Sequence, residues 1–162
     1  MVKVKIPEKY RKKVIEYYTS KIKDKEVKEK VESVLSKLKY EEHLEAIIRH
    51  DFKKFFPGFK IIDKGRHHRT ISGNYTDILA KKKDTIYVIE IKRVENPYGA
   101  LAQLLDYINQ IKEEFKTDKV KGVLICPKVD DRLIRAVKEI NSRGKEEVIS
   151  LMEYSINMEL VR

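Results

Sequence analysis

The chain has 162 residues, 41% of them hydrophobic and 38% charged, and this length favours a single domain around one hydrophobic core. Lys and Arg number 36 against 26 Asp and Glu, so the net charge of +10 favours a polyanionic partner over an acidic small molecule. No stretch reaches the roughly 20 apolar residues that span a bilayer, and the single cysteine, Cys126, excludes an internal disulfide and a thiolate zinc site. We therefore expect a cytoplasmic protein with no membrane partner, and its Lys-, Glu- and Ile-rich composition without Trp is typical of thermophile proteins.

The first part of the chain is predicted to be helical. Apolar residues recur there at helical spacing, and Pro7 suits the first turn of a helix. Residues 1–40 hold 13 Lys and Arg against 6 Asp and Glu, so +7 of the whole charge lies here. A solvated helical face and a phosphate-contacting surface both explain this charge. We divide the chain into a basic helical extension, residues 1–39, and a core domain, residues 40–162.

The rest of the chain alternates strands and helices. A helix is predicted from about Tyr40 to Phe55, followed by a strand FKIID, a polar turn region KGRHHRTISG, and two strands, YTDILA and TIYVIEIKR, joined by the turn KKKD. From Pro97 onward the pattern predicts a helix YGALAQLLDYINQIKEEF, a buried strand VKGVLICP, a helix DRLIRAVKEINSR and a last strand EEVISLMEY. Two β-to-α-to-β alternations indicate an α/β fold with a mixed central sheet flanked by helices.

One predicted strand, Ile86–Arg93 (IYVIEIKR), is mostly β-branched or aromatic and yet carries three charged residues, Glu90, Lys92 and Arg93. Because side chains alternate along a strand, Glu90 and Lys92 share one face. A tight turn centred in KKKD pairs residues whose numbers sum to 167, which places Asp77 opposite Glu90 and Tyr75 opposite Lys92. A slip of one residue would send Asp77 to the other face of the sheet.

In this register, Asp77 and Glu90 place two carboxylates about 5 Å apart at their β-carbons. Such a pair repels itself, so one member takes up a proton or both share a cation. Oxygen ligands suit Mg2+ or Mn2+, which could bind a scissile phosphate and lower the pKa of a bound water. Lys92 could orient that water and stabilise the developing charge. The pattern predicts phosphodiester hydrolysis, and the alternative is a salt bridge between Glu90 and Lys92 at a strand end.

The order Asp77-Ile-Leu-Ala and then Glu90-Ile91-Lys92 resembles the PD-(D/E)XK nuclease superfamily. The resemblance implies a restriction-endonuclease-like α/β core. It also implies that the Ile91 carbonyl joins Asp77 and Glu90 in holding Mg2+ or Mn2+. Thr76 stands where many members have proline, although others in the superfamily also lack that proline.

Two helices extend the resemblance. Gln103-Leu-Leu-Asp-Tyr107 is similar to the Gln-x3-Tyr motif of the branch that includes RecB-type nuclease domains. This similarity implies that Gln103 and Tyr107 line the site, and an ordinary amphipathic helix is the alternative.

The stretch YEEHLEAIIRH resembles the first core helix of NucS-type DNA endonucleases, where a glutamate faces the metal. Glu41 is its counterpart, and Glu45, one turn on, is the fallback. The resemblance covers about residues 40–125. We expect basic helices in place of the N-terminal β domain of the NucS type, and we therefore do not carry over mismatch or flap specificity.

The expected partner is DNA. The basic side chains expected to contact it are Arg66, Arg69, Lys12, Lys13 and Arg93. A solvated loop or a metal ligand set also explains the sequence Arg-His-His-Arg at 66–69.

The expected function is that of a Mg2+-dependent deoxyribonuclease in DNA repair, recombination or defence. The oligomeric state is left open, with a homodimer as one option. The alternatives are a non-catalytic nucleic-acid-binding or assembly module that retains the nuclease fold, and a Holliday-junction resolvase.

Overall fold

The structure, a computed structural model, describes residues 2–6, 41–95 and 97–156, and the side chains of all but 2–6, 41–43 and 156 among them. The strands are β1 (Val2–Ile6), β2 (Lys60–Ile61), β3 (His68–Arg69), β4 (Tyr75–Thr76), β5 (Ile78–Lys82), β6 (Thr85–Ile91), β7 (Val120–Cys126) and β8 (Ile149–Ile156). The helices are α1 (Glu41–His50), α2 (Phe52–Phe55), α3 (Tyr98–Phe115) and α4 (Asp131–Ser142). Within these ranges, no helix is long and apolar enough to cross a membrane.

Six of the strands form one mixed sheet in the order β1-β8-β7-β6-β5-β2. β6, β7, β8 and β1 run parallel, whereas β5 runs antiparallel to both β6 and β2. α3 connects β6 to β7 and α4 connects β7 to β8, as parallel neighbours require a crossover. β3 and β4 pair separately as a small hairpin. This mixed sheet flanked by helices confirms the predicted α/β class.

Hydrophobic side chains cover both faces of the sheet. On one face, residues of α3 and α4 pack against alternate strand positions, among them Leu79, Val88, Leu104, Leu124 and Leu133. On the other face, α1 and α2 pack against the intervening positions through residues that include Leu44, Ile48, Ile78, Ile89 and Ile125. β6 is apolar on both faces because it lies inside the sheet and between two helical layers.

The turn between β5 and β6 sets the register that the sequence predicts. Leu79 pairs with Val88 and Ile78 pairs with Ile89, so the paired numbers sum to 167. Only Lys83 and Asp84 separate the two strands, and so short a turn leaves little freedom for a slip. The predicted register is confirmed over the whole of β5.

The predicted pairing of Tyr75 with Lys92 is wrong. The chain bends at Asp77, and the preceding residues leave the sheet to form β4, in which Tyr75 pairs with Arg69. The backbone N–H of Ile91, which a continuous strand would have bonded, instead donates to Asp77 Oδ2 at 2.7 Å. The bend therefore replaces one ladder hydrogen bond by a bond to a carboxylate.

Three further differences concern the predicted elements. The helix expected over 40–55 is divided at Asp51 into α1 and α2. The strand expected over FKIID is limited to Lys60–Ile61. Val2–Ile6 forms an edge strand parallel to β8, where the sequence indicated a helical extension; VKVKI does alternate with the period of a strand. The remainder of the extension, with Lys12 and Lys13, lies outside the described residues.

Candidate active site

Asp77 and Glu90 are locked together where β5 begins and β6 ends. Asp77 accepts the Ile91 N–H through Oδ2 at 2.7 Å, and its own backbone N–H donates to Glu90 Oε1 at 3.1 Å. These two bonds hold one carboxylate on each strand at the point where the ladder opens. The structure thus brings together the two acidic residues that hairpin arithmetic placed opposite each other.

Glu90 is an acid buried beside another acid. Only 2% of its side chain is exposed, and Lys92 Nζ lies 3.6 Å from Glu90 Oε2. Burial, followed by the charge of Asp77, raises the pKa of Glu90 to about 8. Burial also raises the pKa of Asp77. Both carboxyl groups therefore disfavour ionisation unless a cation accompanies them.

The Ile91 carbonyl lies on the same side of β6 as Asp77. The N–H and C=O of one strand residue point to the same neighbouring strand, and the Ile91 N–H points to Asp77. The next residue, Lys92, donates its N–H to the Ile125 carbonyl on the β7 side. The end of β6 therefore presents a backbone oxygen next to the acidic pair.

Helix α1 supplies a third carboxylate, that of Glu45. The metal-ligating atoms of Glu45, His67 and Asp77 lie within 4.8 Å of one another. Glu45 is buried, and its Oε2 lies 2.6 Å from His67 Nε2. The side chain of Glu41 lies outside the described residues, so its predicted role stays a prediction.

An ion pair between Arg49 and Asp63 supports the backbone of Asp77. Arg49 donates through Nη1 and Nη2 to the two oxygens of Asp63, each at 2.8 Å, and through Nη2 to the Asp77 carbonyl at 2.6 Å. The side chain of Asp63 is 0% exposed and also accepts the N–H of Leu79 at 2.9 Å and of Gly65 at 3.0 Å. We refer to this pair as the Arg49–Asp63 clamp.

Sequence reasoning missed the clamp and the position of His67. The one available signal for Arg49 is its spacing, one helical turn after Glu45, to which it donates through Nε at 2.7 Å. Asp63 carries no such signal, because its partners come from α1 and β5, which are distant in the sequence.

Helix α3 places Tyr107 next to the acidic pair. Gln103 Nε2 donates to the Tyr107 hydroxyl at 2.9 Å, as one helical turn of separation allows. Tyr107 is buried, and burial together with the negative charge of Glu90 raises the pKa of its hydroxyl. The structure therefore brings both residues of the predicted Gln-x3-Tyr pair to the α3 side of the site.

Basic and aromatic side chains surround a cavity beside the acidic residues. The cavity has a volume of about 610 Å3 and is lined by Ile62, Asp63, Lys64, Arg66, His67, His68, Arg69, Tyr75 and Phe115. It adjoins the acidic site through His67, which contacts Glu45. Arg93 is exposed in the loop that follows β6, close in the chain to Lys92. Of the predicted DNA-contacting arginines, Arg66 and Arg69 therefore line this cavity, and Arg93 follows Lys92 in the chain.

The donor set fits a divalent metal ion. Asp77, Glu90 and Glu45 supply carboxylate oxygens, and Ile91 supplies a carbonyl oxygen, which are the ligands that Mg2+ and Mn2+ prefer. The raised pKa values of Asp77 and Glu90 show the same need for positive charge, since burial leaves both carboxylates poorly solvated. The residues present are therefore chemically suited to a hard cation.

The chain matches one known protein family and several curated proteins. The family described as "Endonuclease NucS C-terminal domain" matches residues 40–150. The endonuclease NucS of Methanopyrus kandleri is 28% identical over 115 residues, covering 71% of this chain and 43% of that protein. The endonuclease NucS of Methanocaldococcus jannaschii is 35% identical over 89 residues, covering 54% and 33%.

Two solved structures share the fold. An EndoMS–dsDNA complex superimposes with a TM-score of 0.57 at 22% identity, covering 75% of this chain and 46% of the other. A repair endonuclease from Pyrococcus abyssi superimposes with the same TM-score and identity, covering 72% and 47%. The chain spans less than half the length of these relatives. With the family match extending over most of the chain, the protein belongs to the endonuclease NucS C-terminal domain family.

Proposed function

We propose that this chain carries the active site of a metal-dependent deoxyribonuclease that hydrolyses DNA phosphodiester bonds in DNA repair. The observation that carries the proposal is the reciprocal bonding of Asp77 and Glu90 beside Lys92. The relatives named endonuclease NucS and the fold shared with a repair endonuclease support it.

The residues that would hold Mg2+ or Mn2+ are Asp77, Glu90 and the Ile91 carbonyl, with Glu41 or Glu45 from α1 completing the set. A bound ion of this kind polarises a phosphoryl oxygen and lowers the pKa of a water molecule. The position of Glu45 in the described structure supports it as the α1 ligand, because its carboxylate approaches Asp77.

Lys92 is proposed to act on the attacking water. Its side chain is 21% exposed, so the ammonium group reaches from the buried Glu90 toward solvent. A fixed ammonium group there would orient the water and stabilise the extra negative charge of the transition state. Gln103 and Tyr107 are proposed to position the acidic pair or the DNA backbone from the α3 side, since Tyr107 is near Glu90.

DNA is proposed to approach along the cavity beside the acidic site. Arg66 and Arg69 line this cavity, and guanidinium groups form paired hydrogen bonds with phosphates. Arg93, on the loop after β6, and Lys12 and Lys13, in the basic extension, would add further phosphate contacts. The net charge of +10 favours this partner.

The experiment is a cleavage assay with Mg2+ on a panel of duplex, flap, mismatched, junction and single-stranded DNA. Asp77→Asn, Glu90→Gln and Lys92→Ala should each lower cleavage about a hundredfold or more. Asp84→Asn is the matched control, because Asp84 is an acid on the same hairpin at its opposite, exposed end. Cleavage by the three variants at the wild-type rate, or no cleavage of the panel by wild type, would contradict the proposal.

The second candidate is a non-catalytic nucleic-acid-binding module. The cluster of basic side chains around the cavity favours it, since that cluster would serve binding without chemistry. This candidate predicts salt-dependent DNA binding that is the same with Mg2+ and with EDTA, and no cleavage. A Holliday-junction resolvase would instead cut the junction alone in the same panel.

A further inference from the structure

We propose that Tyr98 and Arg132 form a stacking platform for an unpaired nucleobase, away from the cavity and the acidic residues described above. Tyr98 is the first residue of α3, and Arg132 lies in the first turn of α4. The proposal rests on the proposed function in one respect, which is that DNA is the ligand. We refer to the pair as the Tyr98–Arg132 platform.

The platform belongs to the edge of the sheet where β6 and β7 end. Tyr98 follows Lys92 by six residues, so their Cα atoms lie at most about 21 Å apart. Asp130, the N-cap of α4, follows Cys126 at the end of β7 by four residues. Because β6 and β7 run parallel, both connections leave the sheet at the edge that carries Lys92. A DNA strand bound at Lys92 therefore reaches the platform within about six stacked nucleotides.

Two contacts fix the orientation of the Tyr98 ring. The hydroxyl of Tyr98 donates to Asp130 Oδ2, and the guanidinium carbon of Arg132 lies 4.6 Å from the centre of the ring. Asp130 is itself held, because its Oδ1 accepts the N–H of Leu133 at 2.8 Å. The ring is thus oriented by groups of α4 before any ligand binds, and a pre-oriented surface loses less conformational entropy on binding.

The chemistry of the platform suits a nucleobase with its flanking phosphates. Tyr98 is 37% exposed even with Arg132 against its ring. Aromatic rings and guanidinium planes both stack on the faces of bases that are not paired in a duplex. Arg132 and Arg135 also place positive charge near the Tyr98 hydroxyl, and this charge would attract the phosphates beside the base.

A purely structural role for Tyr98 would depend on its hydroxyl, which joins the start of α3 to Asp130. The cap of α4 does not need this bond, since Asp130 caps the helix through its other oxygen. A nucleobase would instead use the ring. Tyr98→Phe separates the two roles, because it removes the hydroxyl and keeps the ring.

The test is binding of the full chain to two labelled DNAs, a duplex with a single-stranded overhang and the same duplex with blunt ends. Fluorescence anisotropy in EDTA measures both affinities without cleavage. Tyr98→Ala should weaken binding of the overhang DNA about 5- to 150-fold, as expected for the loss of one base–aromatic stack, and should leave binding of the blunt duplex nearly unchanged. Tyr98→Phe should retain most of the affinity for the overhang DNA.

Arginine variants provide a matched control. Arg132 and Arg143 lie at opposite ends of α4, and Arg143 is exposed. Arg132→Met should weaken binding of the overhang DNA, whereas Arg143→Met should bind both DNAs as wild type does.

The outcomes separate this inference from the proposed nuclease activity. Wild-type affinity of Tyr98→Ala for the overhang DNA, or equal losses for the two DNAs, would overturn the platform. A loss in Tyr98→Phe as large as in Tyr98→Ala would also overturn it, because the hydroxyl would then account for the effect. No binding of either DNA by wild type would overturn it as well. The nuclease proposal depends instead on cleavage of DNA with Mg2+, which none of these results measures.

Discussion

Glu90 gives the site a dependence on pH that can be measured without any substrate. Its raised pKa of about 8, against an ordinary 4.5, means that the folded protein keeps a proton that the unfolded chain releases between these pH values. The contribution of this bound proton to the free energy of unfolding is fully present below pH 4.5, and it is lost as the pH rises through 8. One unit of pKa difference corresponds to about 1.4 kcal/mol, so the loss amounts to several kcal/mol.

We therefore expect Glu90→Gln to gain stability relative to wild type as the pH rises from 4.5 to 8, because glutamine has no proton to lose. The measurement is urea unfolding in EDTA across this range, with the exposed Glu139→Gln as control. A difference of about 2 kcal/mol or more should develop between pH 5 and pH 9. Parallel pH dependences for the two proteins would mean that Glu90 is not held as a protonated acid.

The sequence predicts some residues of the site and misses others for a physical reason. Asp77, Glu90 and Lys92 follow from strand alternation and one short turn, which are local rules. His67 and Asp63 reach the site through the loop between β2 and β3, whose path depends on contacts with α1 and β5. Neither periodicity nor spacing encodes such contacts.

At the scale of elements, the Arg49–Asp63 clamp joins α1, the turn after β2 and the start of β5. Removing one member should leave the other as a buried charge without its partner, which costs about 3–5 kcal/mol. We therefore expect Arg49→Met to lower the free energy of unfolding by this amount, measured in urea. Arg143→Met is the control, since its ion pair with Glu139 is exposed and should contribute less than about 1 kcal/mol.

The clamp also makes a prediction for the site, because Arg49 bonds the Asp77 carbonyl. Arg49→Lys keeps the charge but cannot make the paired bonds to Asp63. We expect this variant to bind Mn2+ more weakly than wild type at a temperature where both are folded. Equal Mn2+ affinity would show that the clamp stabilises the fold without positioning Asp77.

Helix α3 packs so closely on β7 that only glycine fits at one strand position. A Cβ on Gly122 would lie 2.9 Å from Ile108 Cδ1 and from Leu104 Cγ and Cδ2. Gly122→Ala should therefore push α3 outward and destabilise the protein by about 1–3 kcal/mol, as urea unfolding would measure. Gly99→Ala, in the first turn of α3 with open space around it, should be neutral or slightly stabilising. If Gly122→Ala had the same free energy of unfolding as wild type, α3 could shift without a cost in stability.

Elements with strong local rules were predicted well, and those set by tertiary contacts were not. The hairpin of β5 and β6 follows from its two-residue turn, and α3 follows from its apolar spacing. The break at Asp77 and the small hairpin of β3 and β4 do not follow from any such local pattern. Loop contacts with α3 hold that hairpin, including Ser72 Oγ to Gln110 Oε1 at 2.6 Å.

At the scale of the whole molecule, the excess of basic residues predicts salt-dependent DNA binding. The slope of log affinity against log salt counts the phosphates that the protein neutralises. Arg66→Ala combined with Arg69→Ala should reduce that slope by about 2, if each arginine contacts one phosphate. Lys145→Ala is the control, because Lys145 precedes β8 at the opposite end of the parallel strands. An unchanged slope in the double variant would place the DNA elsewhere.

The α/β class was predictable from the alternation of strand and helix patterns, because each β-to-α-to-β unit is self-contained in the sequence. The position of β1 beside β8 was not predictable, because this pairing brings together the first and the last described strands, which are far apart in the sequence. Because Val2–Ile6 belongs to the central sheet, the helical extension stays a prediction only for residues 7–39, which lie outside the described residues.

We propose that Asp77 and Glu90 share a metal ion beside Lys92. Anomalous diffraction at the manganese absorption edge, from crystals grown with Mn2+, tests it most directly. We expect an anomalous peak within bonding distance, about 2.2 Å, of a carboxylate oxygen of each acid. Crystals that show both carboxylates in place and no peak between them would contradict it.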